Sequence, residues 1–289
     1  MKFTKMQGAG NDYIYVNAFD ERVENPAALA VTLSDRHFGV GGDGLVLIRP
    51  SARADCFMDI YNADGSRAQM CGNAVRCVAK YVCDRGLVTG DTVQIETLSG
   101  IKAVEVLREG GAVTAARVNM GAPALEPASL PADFPGESVV SQKITIPVFA
   151  ESQKLTTADG AVPVTCVSMG NPHCVVFVDD TKSLDLARLG PVFEHHARFP
   201  ERVNTEFVQT VSDTEFLMRV WERGSGETLA CGTGACAATV ASVLNGRAKR
   251  GADVRVRLTG GELTICWSAG GDVYMTGPAA EVFTGEIRL

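Results

Sequence analysis

Short runs of alternating apolar and polar residues dominate this chain. FTKM, DYIYVNAF, LVLIRP, CFMDIYN, TVQIETLSG, IKAVEVL and AVTAARVNM follow one another down the first half, bounded by glycine, proline and asparagine. Each predicts a strand. Two stretches there read instead as helices, Pro26 to Arg36 and Gly72 to Arg85, the second closed by Gly86 where a left-handed cap is wanted. The order then recurs. VPVTCVSM and HCVVFVDD predict strands, Leu184 to Arg198 holds a helix, and TEFVQTV and EFLMRVWE are strands again. Gly232 to Leu244 is a helix closed by Gly246, followed by strands broken at Gly260 and Gly270. Strands outnumber the few central helices, which predicts an α+β fold of mostly antiparallel sheet curled round a helix in each half. The stretch GAPALEPASLPADFPGES, residues 121–138, is the expected crossing between halves.

The recurrence reaches single residues. Slid on itself by 160 residues without a gap, the chain matches Gly10-Asn11 with Gly170-Asn171 and Cys71-Gly72 with Cys231-Gly232. Met58 falls on Met218, Gly86 on Gly246, Leu98 on Leu258, Gly100 on Gly260 and Gly110-Gly111 on Gly270-Gly271. A long-period repeat with special glycines and two polar motifs in one order predicts two pseudo-symmetric domains, each presenting one cysteine. Two matched thiols facing a cleft could act on opposite faces of one carbon.

Composition narrows the classes. A length of 289 residues suits two domains, and 46% hydrophobic content gives each a core. The net charge of −7 argues against a nucleic-acid partner. No run approaches the roughly 20 apolar residues of a membrane span. MKFTKMQGAGND lacks the apolar core of a signal peptide, so a cytoplasmic protein is expected. Nine cysteines, an odd number in mostly apolar segments, do not form a disulfide framework. Cys56, Cys77, Cys83, Cys166, Cys174, Cys236 and Cys266 read as small buried hydrophobes.

Cys71 and Cys231 differ from those seven. Each follows a strand and a polar loop (YNADGSRAQM; WERGSGETLA) and directly precedes a glycine and a helix. Unpaired N–H groups at a helix start favour negative charge, which lowers a thiol's pKa and can also hold a substrate carboxylate. Zinc is not expected: the cysteines lack the tight knuckle spacing, and His173-Cys174 would point to opposite faces of a strand. His195-His196 read as part of a polar helix. The glycines of HFGVGGDGLVL precede a strand rather than follow one, so they read as a turn and not a dinucleotide loop.

GAGNDYIYV, YNADGSRAQMCGNAVRC, MGNPHCVVFV, ERVNTEFV, WERGSGETLACGTGACA and TGPAAEVFTGEI closely resemble the diaminopimelate epimerases, from the first residues to the last. That resemblance implies a pyridoxal-independent two-base epimerase interconverting LL- and meso-diaminopimelate, in lysine and peptidoglycan precursor synthesis, with no cofactor. It implies domains at 1–130 plus 278–289 and at 131–277, the last strand returning to the N-terminal domain, with the active site in the cleft between them. Cys71 and Cys231 would be the acid/base pair, and His173 and Glu222 would tune them. Asn11, Gly44, Asn62, Gly72, Asn73, Asn171, Asn204, Glu222, Arg223, Gly232 and Thr233 match the substrate-contact positions. Many members of the family carry Gln where this chain has Gly44, so any side-chain contact is lost there. The partner implied is a small amino acid, and the assembly a homodimer. Proline-racemase-like catalysis and a redox-switch protein whose two thiols form a disulfide are the competing readings. Phenazine-type isomerases share the architecture without the thiol pair.

Overall fold

In the computed structural model, which describes residues 1–146 and 161–288, the alternating runs become strands and the glycine-led stretches become helices. The chain divides into two units, Met1–Asn119 with Thr276–Leu289, and Met120–Met275. The first runs β1 (Lys2–Gly8), β2 (Asn11–Asn17), α1 (Pro26–Ser34), β3 (Gly44–Arg49), β4 (Cys56–Asn62), β5 (Arg67–Ala68), α2 (Gly72–Asp84), β6 (Thr92–Thr97) and β7 (Gly100–Glu109). β8 (Ala112–Gly121) carries the chain out of it. The second holds β9 (Gln142–Thr145), β10 (Ala161–Ser168), β11 (Pro172–Val178), α3 (Leu186–Glu194), β12 (Asn204–Ser212), β13 (Glu215–Glu222), β14 (Gly226–Thr228), α4 (Gly232–Leu244), β15 (Asp253–Leu258) and β16 (Gly261–Trp267). After β17 (Val273–Pro278) the last strand, β18 (Ala280–Glu286), lies antiparallel to β1 with Lys2 opposite Glu286.

Pairing is mostly antiparallel, with parallel pairs β2–β3 and β4–β6 in the first unit and β11–β12 and β13–β15 in the second. Parallel neighbours need a crossover, and these pairs are where the four helices fall in the chain. The two units share register as well as order. Tyr13 sits opposite Gly44, and His173 opposite Asn204. Leu45 sits opposite Tyr61, and Thr205 opposite Trp221. Each second pair is the first moved on by 160 residues. Beyond the second helix of each unit the offset changes. The hairpin pair Thr97–Gly100 corresponds to Leu258–Gly261, so one extra residue lies between α4 and β15. Gly100 therefore matches Gly261, and the gap-free matches to Gly260 and Leu258 are corrected by one.

Three other expectations change. Stretch 121–138 belongs to the second unit, where Leu130, Phe134 and Val139 are buried with Phe193 and Phe207, so the crossing lies earlier, in β8. His195 caps α3 and His196 follows it, both outside the helix. Cys266 is partly exposed, whereas the other six cysteines read as core are buried.

Candidate active site

Both cysteines are N-caps. Cys71 (φ −138°, ψ 120°) precedes Gly72 of α2, and Cys231 (φ −124°, ψ 111°) precedes Gly232 of α4. Backbone N–H groups in a first helical turn have no helical acceptor; the Cys231 side chain takes one of them, whereas Cys71 makes no side-chain cap bond. Gly234 N–H donates to the Cys231 sulfur at 3.4 Å.

In the first unit, Cys71 donates to Asn11 Oδ1 at 3.4 Å, and Asn73 Nδ2 donates to the same oxygen at 3.4 Å. Asn11 in turn donates to Asp43 Oδ2 at 2.6 Å. Arg36 binds Asp12 through both terminal nitrogens, at 3.1 and 2.7 Å, and reaches Asp43 at 2.9 Å. Lys5 completes this network 2.6 Å from Asp12. Burial pushes the Asp12 carboxyl up, but Arg36 and Lys5 outweigh it and hold it below the usual range. Asn73 is fixed from behind by fully buried Arg76, whose Nη2 donates to its Oδ1 at 2.8 Å while Nη1 donates to Gly72 O at 3.0 Å. Asn62 instead spends its amide on its own turn, donating to Ser66 Oγ at 3.0 Å. Gly44 faces Asn62 across β3–β4, and a Cβ built on it would stand 2.1 Å from Tyr61 O. No side chain fits there without moving backbone.

The second unit is arranged around a fully buried histidine. His173 meets Glu206 Oε1 at 2.7 Å through Nδ1 and Asn171 Oδ1 at 3.0 Å through Nε2. Asn171 Nδ2 donates to Thr233 Oγ1 at 3.2 Å, and Thr233 Oγ1 lies 3.4 Å from the Cys231 sulfur. On the other side, Thr228 Oγ1 donates to Glu222 Oε1. Asn204 Oδ1 accepts from Arg223 N–H at 2.9 Å, and the exposed Arg223 guanidinium reaches only as far as Glu201 O, at 3.3 Å. Burial raises the Glu222 carboxyl despite its bonds to Thr228 and its nearness to His173.

The helix-start argument for a lowered thiol pKa fails at Cys231. Burial, then Glu222, then Glu206 push that thiol well above the ordinary value, outweighing the bonds from Thr233 and Gly234. Desolvation penalises the thiolate, and two nearby carboxylates penalise it again. Among the described residues, His173, Glu206 and Cys231 are also the one trio whose donor atoms could surround a metal ion, all within 4.8 Å of one another. The 2.7 Å separation of His173 Nδ1 and Glu206 Oε1 is a hydrogen-bond length, shorter than two ligands of one zinc ion keep, so the trio reads as a hydrogen-bonded set.

A model of diaminopimelate epimerase matches residues 3–126 and 165–282. The chain is 54% identical to diaminopimelate epimerase of Desulfovibrio desulfuricans, covering 100% of this chain and 99% of that one. The chain belongs to the diaminopimelate epimerase family. It is 52% identical to the family's protein of Acetivibrio thermocellus, over 100% of this chain and 99% of the relative. Its fold is that of a PhzF-family phenazine biosynthesis protein of Bacillus anthracis, with a TM-score of 0.72 at 15% identity over 100% of this chain and 99% of that one. The class of enzyme is an isomerase.

Four residues beside the epimerase-family positions escape the sequence reading: Glu206, Thr228, Asp43 and Arg76. At an offset of 160 their counterparts are Val46, Ala68, Val203 and Cys236. A repeat flags what the halves share, so polar groups acquired by one half alone carry no such mark. Glu206 had one other signal: it lies two residues from Asn204 on a strand, and so on the same face.

Proposed function

We propose that this chain interconverts LL- and meso-diaminopimelate by a two-thiol mechanism without pyridoxal or metal, in the synthesis of lysine and peptidoglycan precursors. The observation that carries the reading is the duplicated cap: one strand register, one helix start and one cysteine, present twice. Inversion at a carbon needs a base on one face and an acid on the other. One thiolate removes the α-hydrogen, and the other thiol returns a proton from the opposite side, the roles exchanging with direction. Burial and two carboxylates favour the protonated form of Cys231, which suits it to the acid role in the direction in which Cys71 gives up its proton and acts as the base.

The carbanion-like charge needs fixed donors. N–H groups at Gly72-Asn73 and Gly232-Thr233 would hold the reacting carboxylate, with Asn11 and Asn171 beside the sulfurs. Asn62, Asn204, Glu222 and Arg223 would bind the distal amino-acid end, with Gly44 contributing backbone alone. His173 and Glu222 would tune Cys231. The family resemblance extends the proposal to a cytoplasmic homodimer.

Dialysed, chelator-treated enzyme incubated with LL-diaminopimelate in deuterated water tests this. Deuterium should enter one α-carbon as meso product forms, and proline should stay unlabelled. Label in proline would favour the racemase reading. Activity that requires added zinc or pyridoxal phosphate would overturn the mechanism.

A further inference from the structure

Glu206 is the least explained group in the second half-site. It is fully buried on β12, one carboxylate oxygen bonded to His173 Nδ1 and the other, Oε2, without a hydrogen-bond partner. A buried carboxylate with an idle oxygen is costly, and needs a reason beyond packing. The corresponding residue of the first unit is Val46, fully buried in the same strand register, so the fold itself does not require an acid there. A second substitution accompanies the first. Gly234, in the first turn of α4, stands where the first unit has Ala74, and a Cβ at Gly234 would lie 2.6 Å from Glu206 Oε1. The missing methyl makes the room that the carboxylate occupies. Glu206 with Gly234, against Val46 with Ala74, is a matched pair of changes beside one sulfur only.

Hydrogen-bond bookkeeping says what the acid does. Glu206 Oε1 lies 2.7 Å from His173 Nδ1 and anchors the ring on that side. Asn171 carries the contact onward, its Oδ1 3.0 Å from His173 Nε2 and its Nδ2 donating to Thr233 Oγ1 at 3.2 Å. Thr233 Oγ1 in turn lies 3.4 Å from the Cys231 sulfur. The chain Glu206–His173–Asn171–Thr233–Cys231 thus links the acid to the sulfur, and Glu206, His173 and Cys231 also bring one polar atom each within 4.8 Å of the others, so negative charge on Glu206 opposes negative charge on Cys231. The other titratable group facing this set is Glu222, on β13, whose charge acts on Cys231 in the same direction.

We propose that Glu206 is a positioning residue that breaks the symmetry of the thiol pair, anchoring His173 and making Cys231 the member that carries the proton at rest. The proposal rests on the two-thiol reading above, but its test needs no turnover. The pH dependence of iodoacetamide alkylation is followed separately on the Cys71 and Cys231 peptides by mass spectrometry. In Glu206→Gln the Cys231 profile should move down by about one pH unit or more, while the Cys71 profile stays in place. Glu206→Asp, which keeps the charge, should restore most of the wild-type profile. If Glu206→Gln does not fold, Glu206→Val reads the same shift, because valine already fills this position in the first unit. A Cys231 profile that does not move, or both profiles moving together, overturns the proposal. Failure of the two-thiol reading would appear separately, as absence of deuterium exchange in an enzyme whose Cys231 profile responds.

Discussion

Tyr13 and His173 occupy one strand position in two units, opposite Gly44 and Asn204, and the contrast between them runs through the surroundings of both cysteines. The first unit surrounds its cysteine with Tyr13, Asn11 and Asn73, backed by Asp43 and Arg76. The second surrounds its own with His173, Glu206, Glu222 and Thr233. Backbone was kept and charge was not. Duplicated strands and helix starts place a sulfur twice, while the side chains that diverged decide how readily each gives up its proton.

Position 44 gives the sharpest way to break the comparison. Asn204 carries a side chain at a strand start where Gly44 cannot, because a Cβ there meets Tyr61 O at 2.1 Å. Gly44→Gln should therefore destabilise the protein by about 3 kcal/mol through forced backbone movement. A thermal midpoint unchanged from wild type would show that the two strand starts are alike after all.

Arg76 supports Asn73 from a position that is Cys236 in the second unit. Lysine cannot reproduce its fork, so Arg76→Lys should leave Asn73 Oδ1 or Gly72 O short of a donor and cost about 2 kcal/mol. Loosened Asn73 should lower kcat/KM roughly tenfold or more. Steady-state kinetics beside a melting curve separates the two effects.

The buried thiols set a shared, weaker dependence on pH. Burial pushes Cys77 up to about 11 and Cys56 to about 12 in the first unit, and lifts Cys174 and Cys231 in the second. An unfolded thiol ionises near ~8.5, so above that pH the folded chain holds protons that the unfolded chain releases. Stability is thus full below roughly pH 8.5 and declines as pH rises through the folded values, by up to about 1.4 kcal/mol per pH unit for each thiol. Melting temperature should fall across this window, and less steeply in Cys231→Ala. A flat profile would remove the burial argument from both halves.

Much of this was legible beforehand, for physical reasons. Strand alternation, glycine stops and the N-cap cysteines follow from local backbone rules, and α4 spans Gly232–Leu244 as the pattern predicts. Parallel pairs such as β4–β6 join strands separated by a helix, and no local pattern reports them. Asn62 shows the limit for side chains: its match to a substrate position says nothing of the bond it makes to Ser66. The raised thiol of Cys231 comes from burial first, then from Glu222 and from Glu206, 25 residues away in sequence, and only packing reveals it.

The central claim is that the two caps serve opposite faces of one carbon. Its most direct measurement is hydrogen exchange by Cys71→Ala and Cys231→Ala in deuterated water, each given LL- and meso-diaminopimelate. Both variants should lose epimerisation almost entirely, since removing one member of a catalytic unit costs nearly as much as removing all of it. Each remaining thiol should still wash out hydrogen from one enantiomeric centre, and the two variants should choose opposite centres. Near-native epimerisation in either variant, or exchange of the same centre by both, would contradict the account.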